Sequence, residues 1–225
     1  MLLTRLIKNV FSHDGRPPAQ YEAATESPCV LNVGGGSKQI PIPSHYSGWT
    51  HRLLDIAPGP DVDIILDARQ LSTLDPGQFD AVYCSHNLEH YYPHDVPKVL
   101  AGFLHILKPE GYAEIRVPDL TSVLQTVVKN RMELDDVLYT SSAGPISAHD
   151  VIYGWGKEIE RSGVEFYAHK RGFSAKSLTA SLEQVGFGRV WTLVSEAGFE
   201  IRALAFKSQP TAAQRSAFGL GGGVL

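Results

Sequence analysis

From Cys29 onward, apolar residues come in short runs closed by glycine, proline or acidic residues, and the runs at 30–33, 51–56, 62–66 and 79–84 predict four β-strands. Behind Asp95, a capping residue, Val96, Val99, Leu100, Phe103, Leu104 and Leu107 recur at helical spacing, with Pro97 tolerated in the first turn; 95–107 therefore predicts a helix. Lys108-Pro109-Glu110-Gly111 turns the chain into a fifth strand, 112–117, which Pro118-Asp119 closes. A second helix is expected over 120–128. A third follows Ser174, carries Leu178, Leu182 and Val185 on its apolar face and stops at Gly186. The last two runs, 189–195 and 199–207, are separated only by Glu196-Ala197-Gly198 and predict an antiparallel hairpin. Strands alternating with helices at this spacing predict an α/β domain, doubly wound around a mainly parallel sheet that is covered on both faces.

Three stretches fall outside that rhythm. Leu2, Leu3, Leu6, Ile7, Val10 and Phe11 repeat at helical spacing and predict a short amphipathic helix covering exposed core surface, followed by a polar, turn-rich linker, so that 1–28 forms an N-terminal arm ahead of a domain over 29–208. The stretch 139–173 is broken by glycines and rich in His, Tyr and Trp, and is expected to be an insertion that forms a substrate pocket. Residues 209–225, with Gly221-Gly222-Gly223, lack a burial pattern and are expected to be a disordered tail.

Composition narrows the function classes. The 225 residues are 43% hydrophobic, with 20 basic and 24 acidic side chains and a net charge of −4, which suits one globular domain and offers no basic footprint for nucleic acid. Two cysteines, Cys29 and Cys84, are too few for a disulfide framework and suit a reducing cytoplasm. No run is long enough for a membrane span, and no secretory leader is recognisable; the expected partner is a small molecule rather than nucleic acid or membrane.

The first predicted strand runs directly into Gly34-Gly35-Gly36-Ser37, and Asp55 ends the next strand about twenty residues later. Glycines let backbone amides approach a ligand, and a carboxylate at the tip of the second strand can accept both hydroxyls of a ribose. A dinucleotide motif would place a third glycine where Gln39 stands, and Pro41 and Pro43 compromise the helix that would seat a pyrophosphate; a nucleoside without phosphates fits better.

These pieces, LNVGGGS (31–37), LLDI (53–56), DARQL (67–71), FDAVYCSHNLEH (79–90), LKPEGYAEIRVPDL (107–120) and HKRGFS (169–174), resemble the class I S-adenosylmethionine-dependent methyltransferases, in particular those of the methyltransferase type 11 kind. The resemblance implies a Rossmann-like, seven-stranded sheet with an antiparallel last strand and S-adenosyl-L-methionine as cofactor. It implies Gly34 and Gly36 beside the methionine portion, Asp55 on the ribose, Asp67 and Ala68 near adenine, and Ser85 and His86 near the sulfonium, with Asn32, Gly35 and Ile56 completing the cofactor set. The family's glycine after the loop serine is here Lys38, a candidate to meet the cofactor carboxylate.

His86-Asn87-Leu88-Glu89-His90 also spells H-x-x-E-H, a zinc peptidase pattern, but it follows a strand in an α/β chain; no metal is expected, and Glu89 and His90 are read as hydrogen-bonding the loop. If the acceptor carries a proton, a base must remove it, and His169, His149 and His86 are the candidates, with Tyr153 and Tyr167 lining the reactive end. The expected activity is methyl transfer to a small-molecule acceptor. The alternatives are an intramolecular cyclisation of the cofactor to azetidine-2-carboxylate and methylthioadenosine, zinc hydrolysis, and cofactor binding without catalysis.

Overall fold

The computed structural model describes residues 27–141, 144–195 and 198–220. The expected N-terminal helix and nearly all of its linker, and the triple glycine of the tail, lie outside the described residues. In chain order the strands are β1 (Cys29–Val33), β2 (Thr50–Asp55), β3 (Ile64–Ile65), β4 (Phe79–Ser85), β5 (Leu107–Pro118), β6 (Val137–Ser141), β7 (Gly144–Ser147), β8 (Arg189–Val194) and β9 (Glu200–Phe206). Seven form one sheet in the order β3-β2-β1-β4-β5-β9-β8, while β6 and β7 make a separate hairpin. Pairing from β3 through β5 is parallel, and β9 runs antiparallel to both β5 and β8. The strand order reverses at β1, between β2 and β4, the place where open α/β sheets open a crevice at their carboxyl edge. The α/β class, the antiparallel end and the hairpin at 189–207 are as the sequence predicts.

One face of the sheet is covered by helices. Val99, Leu100, Phe103 and Ile106 of α1 (Val96–Ile106) meet Leu31, Val33, Val82, Cys84, Ala113 and Ile115 in the main core. After α2 (Leu120–Asn130), α3 (Ala148–Tyr153) and α4 (Gly156–Ser162), the same core receives Leu178 and Leu182 of α5 (Ala175–Gln184), which Ser174 and Ser177 cap reciprocally.

The opposite face is covered as well, largely by aromatic side chains. Pro41 and Pro43 remove two amide donors, and 34–49 makes only one 3-10 turn, Ser44–Tyr46. Tyr46 fills the space instead, packing among Tyr83, Tyr112 and Trp49. The tail corrects one expectation: Thr211 and Gln214 form a capping box that starts α6 (Ala212–Ala217), Gln214 Nε2 donates to the Glu110 carbonyl at 2.8 Å, and the Phe218 ring stands edge-on to Tyr112 at 5.1 Å. The T-x-x-Q spacing is a helix-start signal that a search for apolar periodicity passes over.

Within this aromatic layer lies a carboxylate that no sequence pattern marks. Glu114 of β5 is fully buried, yet its oxygens accept from Arg202 Nε at 2.8 Å, Arg116 Nη2 at 3.0 Å and the Tyr46 hydroxyl at 3.2 Å, with His45 Nε2 at 2.8 Å. Burial opposes its charge, but the two guanidiniums outweigh burial and hold the carboxyl below its ordinary value of 4.5. The stability this group contributes is therefore present above that value and lost as pH falls through the lowered one. Glu114→Gln should cost on the order of 3–5 kcal/mol by leaving buried cations unpaired. Denaturant titrations between neutral pH and pH 3 should show a steeper acid loss in the wild type than in the variant, and equal slopes would refute this account.

Candidate functional site

At the carboxyl edge, β1, β2 and β4 end side by side, with Val33 opposite Leu54 and Asn32 opposite Tyr83. The Gly34 amide continues the ladder, donating to the Leu54 carbonyl at 2.8 Å, after which the chain turns sharply: φ is +73° at Gly34 and +68° at Gly36. The three glycines are needed for different reasons. A Cβ at Gly34 would stand 2.1 Å from the Asn87 amide and one at Gly35 2.2 Å from that of the buried Asn32, whereas the space at Gly36 is open and its positive φ alone excludes other residues. Half-buried Asp55 braces the loop, accepting from the Gly36 amide at 3.2 Å and the Ala57 amide at 3.0 Å.

Around this loop the structure gathers most of the expected cofactor set. Ile56 and Asp67 line an open cleft of about 100 Å³ together with Asn87, His90, Tyr91 and Phe166. Asp67 caps the 3-10 turn Ala68–Thr73 and pairs with Arg69; Ala68 is buried in the main core and does not line the cleft. Lys38 is drawn elsewhere, 2.7 Å from Asp63, which also accepts the Leu53 amide, and is not brought to the glycine loop's open side. Asn87 is a residue that sequence reasoning missed. Its side chain fills the groove beneath Gly34, and its Oδ1 is buried without a hydrogen-bond partner.

On the other side of residues 86–90 lies a second, open cleft of about 140 Å³, lined by His86, Pro118, Tyr139, Ile146, Asp150, Val151, Trp155, His169 and Phe199. Tyr139 stacks on Phe199 at 5.7 Å. His169 donates its Nδ1 proton to the Val151 carbonyl at 2.8 Å, and burial lowers its pKa, which keeps the ring neutral near pH 7. His86 has the opposite character. Burial disfavours its charge, but Glu200, 3.0 Å from Nε2, and Glu89, 3.5 Å from Nδ1, push its pKa up to about 10, so it is a cation at neutral pH and does not serve as a base. Ser85 ends β4 beside it, and His86 itself is left-handed at φ +48°.

Three expected residues are not brought to this cleft. In α3, Ala148 and Val151 face the core, so His149 and Tyr153, each two residues from Val151, project from the outer side of the helix, where their rings meet at 4.9 Å. Exposed Tyr167 sits in the turn Glu165–Tyr167 and likewise does not line the cleft. Tyr139 and Trp155 occupy the wall that Tyr153 and Tyr167 were expected to form. The H-x-x-E-H segment is no peptidase helix either: His86 is a left-handed residue at a strand end, and Leu88–His90 is a single 3-10 turn.

A methyltransferase-domain family model matches residues 10–191. The chain belongs to the methyltransferase-domain family. No curated protein sequence matches it. Among solved structures, a SAM-dependent methyltransferase from Archaeoglobus fulgidus aligns with a TM-score of 0.53 at 17% identity, over 80% of this chain and 86% of that one. An O-methyltransferase family protein from Burkholderia thailandensis aligns with a TM-score of 0.52 at 13% identity, over 81% of this chain and 51% of that one. At these identities the likeness is one of fold. The methyltransferase thus has the class I fold, and its residues fit S-adenosylmethionine as cofactor: a glycine turn with open space before Gly36, an orphaned amide oxygen on Asn87 and a cleft reaching Asp67. No helix among the described residues is long and apolar enough to cross a membrane.

The fit of Asn87 beneath the glycine turn gives a direct test. Gly34→Ala in this methyltransferase should lose about 1–3 kcal/mol of stability through overpacking and positive-φ strain. Adding Asn87→Ala should recover part of that loss; a double-mutant cycle in denaturant with no coupling would show that the two residues do not compete for the same space.

Proposed function

We propose that this methyltransferase moves a methyl group from S-adenosylmethionine to a small, largely apolar acceptor held between Tyr139, Phe199, Trp155 and His169. The observation that carries the reading is the pair of clefts sharing one wall: Asn87 and His90 line the first, His86 and His169 the second. Bound S-adenosylmethionine supplies an electrophilic methyl on a sulfonium. The chain's own contribution is positioning, because in-line displacement needs the acceptor atom held opposite the leaving sulfur. Asp55, its carboxylate fixed by two backbone amides, keeps lone pairs for the ribose hydroxyls, and Asn87 Oδ1 is free to accept from the ammonium of the amino-acid end. The aromatic wall of the second cleft offers an apolar acceptor ring contacts. A separate acceptor cleft supports intermolecular transfer over cyclisation, which needs no second pocket.

Two outcomes are expected. Asp55→Ala should weaken S-adenosylmethionine binding about tenfold or more by calorimetry, given roughly 1.5–3 kcal/mol for hydrogen bonds to a charged group; unchanged affinity in a folded variant would defeat the ribose assignment. In a panel of small acceptors separated by mass, the accompanying product should be S-adenosylhomocysteine, and Tyr139→Ala and Trp155→Ala should raise the acceptor KM while leaving cofactor affinity within about twofold. Methylthioadenosine as the product would decide for cyclisation.

A further inference from the structure

We infer that Glu89, His90 and His169 form a binding site for one divalent first-row transition-metal ion, set in the wall between the two clefts. One carboxylate oxygen and one nitrogen from each imidazole lie within 4.8 Å of one another, from a turn after β4 and a segment some eighty residues later. Glu89 is 1% exposed, and neither of its oxygens has a hydrogen-bond partner, an arrangement that is costly for a carboxylate unless something else satisfies it. The nearest protein donors make no hydrogen bond to it: His86 Nδ1, which offsets its charge, stands 3.5 Å and His169 Nε2 3.9 Å from Oε1. That second distance is long for a hydrogen bond and close to the roughly 3–4 Å that separates two ligands of one ion whose bonds are about 2.0–2.2 Å.

The imidazoles are oriented as metal ligands are. His90 Nδ1 donates to the Ala168 carbonyl at 3.1 Å and His169 Nδ1 to the Val151 carbonyl at 2.8 Å, so each ring is fixed in the tautomer that leaves Nε2 with a lone pair. The two rings meet at 4.9 Å. The backbone holds the two halves in register: the Glu89 carbonyl accepts the amides of Lys170 at 2.9 Å and Arg171 at 3.2 Å, and the His169 amide donates to the Tyr153 carbonyl at 2.9 Å. The site therefore exists before any ion arrives.

Two imidazole nitrogens and one carboxylate suit Zn²⁺, Mn²⁺, Fe²⁺ or Co²⁺ better than Mg²⁺ or Ca²⁺, which favour all-oxygen shells. Three protein ligands leave coordination open to water or to an acceptor oxygen. The expectation of no metal weighed His86 with His90; the third dimension replaces His86, turned toward Glu200, with His169. Metal binding stands independently of the proposed reaction. A role for the ion in activating an acceptor hydroxyl rests on that reading.

The test uses the full chain, stripped with chelator and titrated without cofactor or acceptor. Calorimetry with ZnCl₂ and with MnCl₂ should give one saturable site per chain, MgCl₂ should bind more weakly, and CoCl₂ should develop visible d–d bands. Glu89→Gln and His169→Gln should each weaken Zn²⁺ binding by more than about 100-fold, beyond the range that outer-shell partners reach. His149→Gln, on the outer side of α3, should match the wild type. Circular dichroism and S-adenosylmethionine affinity report whether each variant folds. Absence of a stoichiometric site in the wild type overturns the proposal, as does binding that survives in both folded ligand variants.

Discussion

Because β1 pairs in parallel with β2 on one side and β4 on the other, three strands end at the same edge and deliver Gly34, Asp55 and Ser85 to neighbouring positions. The register matters, since a slip of one residue would turn each strand's side chains to the opposite face and move the strand tips apart. The glycine turn, the Asp55 brace and the Asn87 plug depend on that register. So does the clip between the Glu89 carbonyl and the amides of Lys170 and Arg171, which ties the late segment to the sheet edge.

Residues whose role is set by local chain geometry were legible in the sequence. The glycine run and Asp55 need only a strand before each and the right spacing between them, and the hairpin at 189–207 needs only two apolar runs and a short turn. What the sequence hides is facing and long-range convergence. His149 and Tyr153 belong to the expected segment but to the outer side of a helix whose inner side is marked by Ala148 and Val151, an i, i+3 pair that was available to be read. Nothing local announces that His169 would return to Glu89, or that Pro41 and Pro43 would leave a face for Tyr46 and Phe218 to cover.

Two of the buried glutamates illustrate different uses of a carboxylate. Glu114 is surrounded by two guanidiniums, a phenol and an imidazole and belongs to the architecture of the sheet. Glu89, equally buried, has no hydrogen-bonded partner and faces only imidazoles, the nearest being His86 Nδ1 at 3.5 Å. Saturation of lone pairs, rather than burial, separates the structural acid from the one held open for a ligand.

The C-terminal helix has a topological consequence. Pro28, just before β1, and Ala213, Ala217 and Phe218 line one apolar groove at the amino-end side of the strands, away from the reactive edge. The two ends of the described fold are thus neighbours across a cavity, at the opposite edge of the sheet from the glycine turn and Asp55, so the fold is closed on the side where no chemistry takes place.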